Sequence, residues 1–426
     1  MAGFARARVA QAFLAAQSIM NYRFLKFTSV YPEFARRFLA QHTDSARLSY
    51  QGLLDRFLRT RYGLVIFPAA HMRALGHEVR DYYTTFEPLQ KAWAAECGFK
   101  YDSSNWLREI ALAQVKEFQP EVVYLQDLYV CDQELRQQIR AACQRPILLI
   151  GWRAAPTQDF SIFRDLDLVL TCVPHFAQRL RAEGANTVLM PLAFEHSILE
   201  ELPADGPRPF DFTFAGSIGS PYGIWAEREA LIESLMEETT LEVWANLVDP
   251  VSRFEKAIYL ANRALGALGV PAGARARLPW VKLGAYGMTD PGRSSLKDRF
   301  PARVHAPVFA RDYYHLLAQS KLAFNSHGDC AENYAGNVRL YEATGMGACL
   351  LTDWKDNLPE LFEPDTEVVT YRNAAECLEK ARYLLEHEKE RQTIAAAGQR
   401  RTLRDHTCLQ RVLQVDQLIK QALDAR

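Results

Sequence analysis

The chain has 426 residues, of which 49% are hydrophobic and 24% charged, as in an ordinary soluble globular protein. Its 50 Lys and Arg residues face 51 Asp and Glu residues, and the net charge of −1 argues against a nucleic-acid-binding protein, which would carry a basic excess. A chain of this length is long for one hydrophobic core, so two domains are expected.

The eight cysteines are spread along the chain without a C-x-x-C pair, which predicts neither a disulfide framework nor a cysteine zinc site. A reduced, cytoplasmic location is therefore expected. No apolar run reaches about 18 residues, so no transmembrane helix is predicted. The Ala/Arg-rich segment Phe4–Ala16 predicts a short amphipathic helix, with targeting or peripheral membrane association as an alternative role.

Strand and helix patterns alternate through the first half. Residues 22–30 alternate apolar and polar side chains before Pro32, which predicts a strand that ends in a loop. Further strands are predicted at 122–125, 147–150, 168–171 and 187–190, and helices at 33–41, 47–61, 133–143 and 175–183. This alternation predicts an α/β fold with a doubly wound parallel sheet.

The segment 201–210 contains three prolines and one glycine, which predicts a linker between domains. A second series of strands follows, at 212–215 and 241–244, and residues 408–426 have a helical pattern. The predicted division is therefore an N-terminal domain at 1–204, a second domain at 205–407 and a final helix at 408–426.

The stretch Lys321–Asp353 reads as one βαβ unit, with polar residues after its first strand and at its helix start. Because α/β sheets bind anionic and nucleotide ligands at this place, the unit predicts such a site. Its parts are the strand Leu322–Phe324, the loop Asn325–Gly328, a helix carrying Asn337, Arg339 and Glu342 near its start, the turn Gly345–Gly347 and the strand Ala348–Leu351.

The pattern Asn337-x-Arg339-x-x-Glu342-Ala343-x-Gly345-x-Gly347 resembles the donor-binding segment of GT-B glycosyltransferases, in the branch of spore-maturation (CgeB-like) proteins. A strand-like segment at 363–369 and a helix-like segment at 390–399 extend the likeness, which covers 205–415 well and the first half loosely. The resemblance implies two Rossmann-like domains that face each other across a cleft. It also implies that 1–204 serves the acceptor, that 205–407 binds the donor, and that the helix at 408–426 crosses back to the first domain.

The activity implied by the resemblance is transfer of a sugar from a nucleotide-diphosphate sugar to an unidentified acceptor hydroxyl, without a cofactor or metal ion. Two alternatives stay open. One is a nucleotide-sugar epimerase or hydrolase, and the other is a non-catalytic module that binds nucleotides or sugars. The sequence does not reveal the sugar, the base, the acceptor, the anomeric outcome or the oligomeric state.

Arg339 is the predicted ligand of the donor diphosphate, because a guanidinium can bind two phosphate oxygens at once. The alternative is an ion pair with Glu342, which lies three residues further along the helix. The resemblance implies that the Glu342 carboxylate accepts hydrogen bonds from the ribose hydroxyls of the donor. In the family pattern Glu342 is the second of two glutamates, and the first lies eight positions before it. Here that first position is Tyr334, and the nearest acid is Glu332.

Gly216 and Ser217 follow a predicted strand and could let backbone N–H groups approach a phosphate, with a plain turn as the alternative. Asn325 and His327 lie on the loop before the key helix and are candidate donor ligands. Asn337 would either contact the donor or cap the helix.

In the first half, Asp127 follows a buried strand and is the candidate general base toward the acceptor, against an Asx-turn role. His196, which follows Glu195 near the linker, is the second candidate, and His71 and His175 are rivals. Asp165 and Asp167 match the Asp-x-Asp of metal-dependent transferases, but a lead-in to the next strand explains them better, so no metal site is predicted.

Overall fold

A computed structural model describes residues 21–63, 69–154, 157, 159–218, 226–246, 253–270, 296–328 and 332–426. The helix predicted at Phe4–Ala16 lies outside these ranges. None of the helices in the described ranges combines the length and the apolar character needed to span a membrane.

The first sheet is parallel throughout, with strand order β2-β1-β3-β4-β5-β6. Its strands are β1 Arg23–Thr28, β2 Glu78–Tyr83, β3 Val122–Leu125, β4 Leu148–Trp152, β5 Leu168–Thr171 and β6 Thr187–Leu189. The helices between them are α1 Pro32–Gln41, α2 Tyr50–Leu58, α3 Ala69–Ala74, α4 Glu87–Glu96, α5 Trp106–Phe118, α6 Gln133–Ala142 and α7 Pro174–Ala182. Short 3-10 helices lie at Ser45–Arg47, Phe160–Phe163 and His196–Glu200.

The second sheet is also parallel, with strand order β12-β11-β10-β7-β8-β9. Its strands are β7 Phe210–Ser217, β8 Glu242–Asn246, β9 Val304–His305, β10 Ser320–Asn325, β11 Cys349–Asp353 and β12 Val369–Tyr371. The described helices are α8 Ala226–Glu238, α9 Arg253–Ala267, α10 Leu296–Arg299, α11 Ala310–Ala318, α12 Arg339–Gly345, α13 Leu358–Leu361, α14 Ala374–Glu386, α15 Glu388–Asp405 and α16 Cys408–Asp424. Two sheets of this kind confirm the predicted fold class, whereas the exact domain limits stay predictions.

Strand β1 is buried on both faces, although its sequence alternates apolar and polar residues. It lies between β2 and β3, and every residue from Phe24 to Thr28 is buried. Lys26 is only 2% exposed, and its Nζ lies 3.6 Å from a carboxylate oxygen of Asp81 on β2. A buried ammonium needs such a partner, so the ion pair lets a polar residue occupy the centre of the sheet.

Helix α16 crosses back to the first sheet, as predicted. Val412, Val415 and Ile419 belong to the core of that sheet, which they fill with side chains from the end of the chain. Asp416 is buried among them. Its carboxylate accepts a hydrogen bond from the Tyr22 hydroxyl at 2.8 Å, and it lies 2.9 Å from His77 Nε2. Polar and apolar contacts together fix the helix in place.

The two chain crossings between the sheets lie side by side. The Phe194 N–H donates to the carbonyl of His406 at 2.8 Å, and the Cys408 N–H donates to the carbonyl of Phe194 at 2.9 Å. The Phe194 ring packs directly on the backbone of Gly345, where a Cβ would clash with the ring. This packing joins the segment between β6 and β7 to helix α12, which carries the predicted site.

Candidate functional site

The predicted donor residues lie at the carboxyl-end edge of the second sheet. β7 and β10 are neighbours in the parallel sheet, and they end at Ser217 and Asn325. Because carboxyl ends of parallel strands share one edge, the loops after them meet there. Helix α12 begins at Arg339 and packs against β10 and β11, which brings its first turn to the same edge.

Asn325 organises this edge. Its side chain is buried and its Nδ2 donates to Thr352 Oγ1 at 2.9 Å. Its Oδ1 accepts from Asn337 Nδ2 at 2.7 Å and from Arg339 Nη1 at 2.9 Å. One amide therefore sets the position of two other predicted ligands, Asn337 and Arg339.

Arg339 does not use Glu342 as its hydrogen-bond partner. Its Nη2 donates to the carbonyl of Ala215, and its guanidinium carbon lies 4.9 Å from the centroid of the Phe214 ring. Its Nε is buried and has no hydrogen-bond partner within the described residues. A guanidinium held in this way has a fixed orientation, and each terminal nitrogen has a second N–H outside these two hydrogen bonds.

Gly216 is needed for this arrangement. A Cβ at this position would clash with Arg339 Nη2. The absence of a side chain therefore lets the guanidinium lie against the end of β7. Ser217, the next residue, is exposed, and its carbonyl accepts from Arg228 Nη1 at 3.3 Å.

Glu342 is a buried carboxyl group in the same place. Burial raises its pKa to about 7, although the charge of Arg339 and hydrogen bonds from Tyr313 and Tyr314 act in the opposite direction. The Tyr314 hydroxyl donates to Glu342 Oε1 at 3.2 Å. The carboxyl group therefore changes its protonation near neutral pH.

Four of the predicted donor residues line a cavity of about 310 Å³ between the two sheets, whereas Asn325, Ser217 and His327 do not. A volume of this order suits a small-molecule site. From the side of the second sheet come the predicted residues Gly216, Asn337, Arg339 and Glu342, together with Phe309 and Tyr313. From the side of the first sheet come Tyr31, Arg61, Tyr62 and Gln126. A second cavity of about 450 Å³ shares Val308, Phe309 and Ala310 with it and extends toward Phe34, Arg37 and Trp244.

His327 lies beside this cavity but does not line it. Its Nδ1 is 2.7 Å from Asp353 Oδ1, and its backbone N–H also donates to that carboxylate at 3.0 Å. Its Nε2 is buried and has no hydrogen-bond partner in the described ranges. The structure therefore places His327 just after β10, with its ring held by Asp353 at the end of β11.

Tyr334, at the position where the family pattern has its first glutamate, contacts the first half of the chain. Its ring stacks on His175 of α7, with 5.4 Å between the centroids. Burial lowers the pKa of His175, and its Nε2 lies 3.7 Å from the Glu332 carboxylate. The departure from the pattern therefore coincides with a contact between the two halves.

Asp127 makes the turn that was the alternative to its predicted role. Its Oδ1 accepts from the backbone N–H groups of Tyr129 at 2.9 Å and Val130 at 3.2 Å. The neighbouring Gln126, and not Asp127, lines the cavity. A catalytic role for Asp127 stays a prediction.

His196 lies in a cluster with His71 and Glu195, apart from the residues that line the cavity. His71 Nε2 is 2.7 Å from Glu195 Oε2. The structure therefore brings together two of the rival bases, but it does not bring either to Arg339.

Asp165 and Asp167 bind arginines of helix α6. Asp165 pairs with the fully buried Arg136 at 2.7 Å. Asp167 pairs with Arg140 at 2.8 Å and accepts from the Leu149 N–H at 2.6 Å. Both carboxylates thus fasten the lead-in to β5, as the structural interpretation of Asp-x-Asp predicts.

Sequence reasoning missed the aromatic wall of the cavity. Tyr31 immediately precedes α1, Tyr62 follows α2, and Tyr313 and Tyr314 lie on α11. The adjacent tyrosines 313 and 314 carry no recognisable motif. Only the packing of α11 beside α12 reveals that both tyrosines hydrogen-bond to Glu342 and lower its pKa.

Comparison with solved structures shows the architecture to which these two sheets correspond. Sucrose-phosphate synthase from Thermosynechococcus elongatus superposes with a TM-score of 0.54 at 13% identity, over 95% of this chain and 100% of that one. The chain has the GT-B fold. The Anabaena protein Alr3699/HepE, solved with UDP-glucose, matches this GT-B chain with a TM-score of 0.52 at 12% identity, over 95% and 100% of the two chains.

The sequence comparison agrees for the second half of the GT-B chain. Residues 261–417 match a family model described as glycosyl transferase-like. That stretch contains the candidate donor residues Asn325, His327, Asn337, Arg339 and Glu342, whereas Gly216 and Ser217 precede it. No curated protein sequence matches the chain.

Proposed function

We propose that this protein is a glycosyltransferase that moves a sugar from a nucleotide-diphosphate donor to an acceptor hydroxyl. The observation that carries the proposal is the cavity between the two sheets, where Arg339 and the titratable Glu342 lie together at the carboxyl-end edge. The glycosyl transferase-like domain at 261–417 supports the same function. The pattern from Asn337 to Gly347 further supports a place in the CgeB-like branch.

In the proposed reaction, the leaving nucleoside diphosphate gains negative charge as the glycosidic bond breaks. Arg339 would offset this charge, because its guanidinium is positively charged and its terminal nitrogens are fixed by Asn325 and Ala215. Preorganised donors of this kind stabilise a developing charge without reorganisation. We therefore propose that no metal ion is required for departure of the diphosphate.

Glu342 would accept hydrogen bonds from the ribose hydroxyls of the donor. Its ionised form accepts only, so two hydroxyls can donate to it at once. Tyr31 at the cavity is 67% exposed and offers an aromatic face from the first sheet. Uracil is the first base to test, since Anabaena HepE was solved with UDP-glucose.

The acceptor would enter from the side of the first sheet. Asp127 is the proposed general base, because it follows Gln126, which lines the cavity, and a base must face the acceptor hydroxyl. Its turn leaves one carboxylate oxygen outside the two backbone hydrogen bonds. His196 remains the second candidate.

A thermal-shift screen with UDP, GDP, TDP, CMP and their sugars tests donor binding. A ligand present at about 100 times its Kd stabilises the folded state by about 2.7 kcal/mol. We expect one nucleoside diphosphate and its sugar to raise Tm, and no response to any of them would contradict the proposal.

The activity of the identified donor then separates the three functions. A transferase consumes the donor faster when the correct acceptor is added, whereas a hydrolase or epimerase acts without one. A binding module shows the thermal shift but neither reaction. Arg339→Ala serves as the inactive reference in each assay.

A further inference from the structure

A group of three potential metal ligands lies outside the proposed donor cavity. One ligand atom each from His71, Glu195 and His196 lies within 4.8 Å of the other two. The rings of His71 and His196 are nearly parallel, with 11° between their planes and 5.8 Å between their centroids. Their arrangement brings two imidazoles to one carboxylate.

Hydrogen bonding accounts for only part of this cluster. His71 Nε2 lies 2.7 Å from Glu195 Oε2, and Glu195 Oε1 accepts the Ser197 N–H at 3.1 Å. His196 Nδ1, however, is buried and has no partner within the described part of the chain. A buried polar atom without a partner destabilises the fold, so its presence in this cluster needs a reason.

We propose that His71, Glu195 and His196 bind a divalent transition-metal ion of the Zn²⁺ type. Imidazole nitrogen and carboxylate oxygen are ordinary zinc ligands, and two histidines with one glutamate form a known three-ligand set with an open position. A lone pair on His196 Nδ1 would then have a partner. The Ser197 N–H would hold the carboxylate in orientation, as groups behind a metal ligand commonly do.

The position of the ligands gives the ion a structural consequence. His71 lies on α3 beside the first sheet, whereas Glu195 and His196 lie on the segment between β6 and β7 that links the two sheets. A bound ion would tie this linker to the first sheet. None of the three residues lines the cavity that contains Arg339, so a bound ion would lie outside the proposed donor site.

The experiment uses the full chain without a polyhistidine tag. The protein is incubated with ZnCl₂ and dialysed, and the retained zinc is measured by elemental analysis. We expect one equivalent in the wild type, and at least a tenfold weaker affinity in His196→Ala, which removes a ligand whose Nδ1 has no partner to lose. His387→Ala, which removes an exposed histidine, should retain the equivalent.

Zinc K-edge absorption of the wild type provides a second measurement that needs no variant. Two imidazole rings and an oxygen ligand support the proposal. A wild type that retains no zinc, a spectrum without imidazole, or equal retention by a folded His196→Ala would each overturn it. If His196→Ala does not fold, the absorption spectrum alone decides.

Discussion

The hydroxyl of Tyr314 donates a hydrogen bond to the buried carboxyl of Glu342 at 3.2 Å, which joins helix α11 to helix α12 at the wall of the cavity. Burial raises the pKa of Glu342 to about 7 in spite of this bond and of the charge on Arg339. The protonated form therefore predominates below about pH 7 and the carboxylate above it. The proposed ribose contact needs the carboxylate.

Donor affinity should accordingly increase as the pH rises through about 7. Ribose hydroxyls stabilise the ionised form of Glu342, so binding below this pH must release a proton. Calorimetry in buffers with different ionisation enthalpies measures that release. Glu342→Gln should bind the donor more weakly and release no proton from this position. If Glu342→Gln released as many protons as the wild type on donor binding, the protons would come from another group.

Arg339→Ala should weaken binding of the nucleoside diphosphate by about 2–4 kcal/mol, because a charged contact in a desolvated site is lost. Arg339→Lys keeps the charge but cannot reproduce the contacts to Ala215 and Asn325, so we expect an intermediate affinity. Arg372→Ala is the matched control, since Arg372 is exposed and lies over Trp354. Calorimetry that finds wild-type affinity in a folded Arg339→Ala would refute the phosphate role.

Gly216→Ala should reduce donor affinity without unfolding the protein. The added methyl group would meet Arg339 Nη2 and push the guanidinium away from the end of β7. Gly206→Ala is the control, because a Cβ there meets no atom within 4 Å. Titration of both variants with the identified donor compares them, and equal affinities would show that the guanidinium position is not critical.

Asp127→Asn should lower transfer by about 10²-fold while donor affinity is unchanged, if Asp127 removes the proton from the acceptor. The amide oxygen can still accept the N–H groups of Tyr129 and Val130, so the turn and the Tm should be preserved. Steady-state rates with saturating donor measure the effect. Transfer within a few-fold of the wild type would remove Asp127 from the mechanism and leave His196 or a mechanism without a side-chain base.

Transfer should proceed without added Mg²⁺ or Mn²⁺, because Arg339 is proposed to offset the charge of the leaving group. Asp165→Asn should instead affect stability, since it weakens the pair with the buried Arg136 by about 3 kcal/mol. Thermal melting and transfer rates distinguish these effects. If transfer by the wild type strictly required a divalent ion and a folded Asp165→Asn were inactive, the metal-binding interpretation of Asp-x-Asp would be restored.

The sequence predicts much of the fold because buried parallel strands appear as short apolar runs. Val122–Leu125 and Leu168–Thr171 were predicted with their observed limits. The strand expected within 363–369 is observed at Val369–Tyr371, after a turn in which Asp365 adopts a positive φ. Turn geometry of this kind has little signal in a single sequence.

The candidate site was only partly predictable. Asn325, Asn337, Arg339 and Glu342 belong to one βαβ unit, so their proximity follows from local sequence spacing. Tyr31, Gln126 and Tyr313 reach the cavity only because the two sheets pack together. Such contacts depend on tertiary structure and are invisible in a local pattern.

The return of helix α16 to the first sheet has a consequence for synthesis of the protein. Val412, Val415 and Ile419 fill a core whose other members come mostly from residues 22–190, and Asp416 satisfies Tyr22 and His77 within it. During synthesis on the ribosome, the N-terminal half therefore exposes an apolar groove until the second sheet and then helix α16 have been translated. The N-terminal half is therefore expected to need chaperone protection during translation, and it is a poor candidate for expression as an isolated fragment.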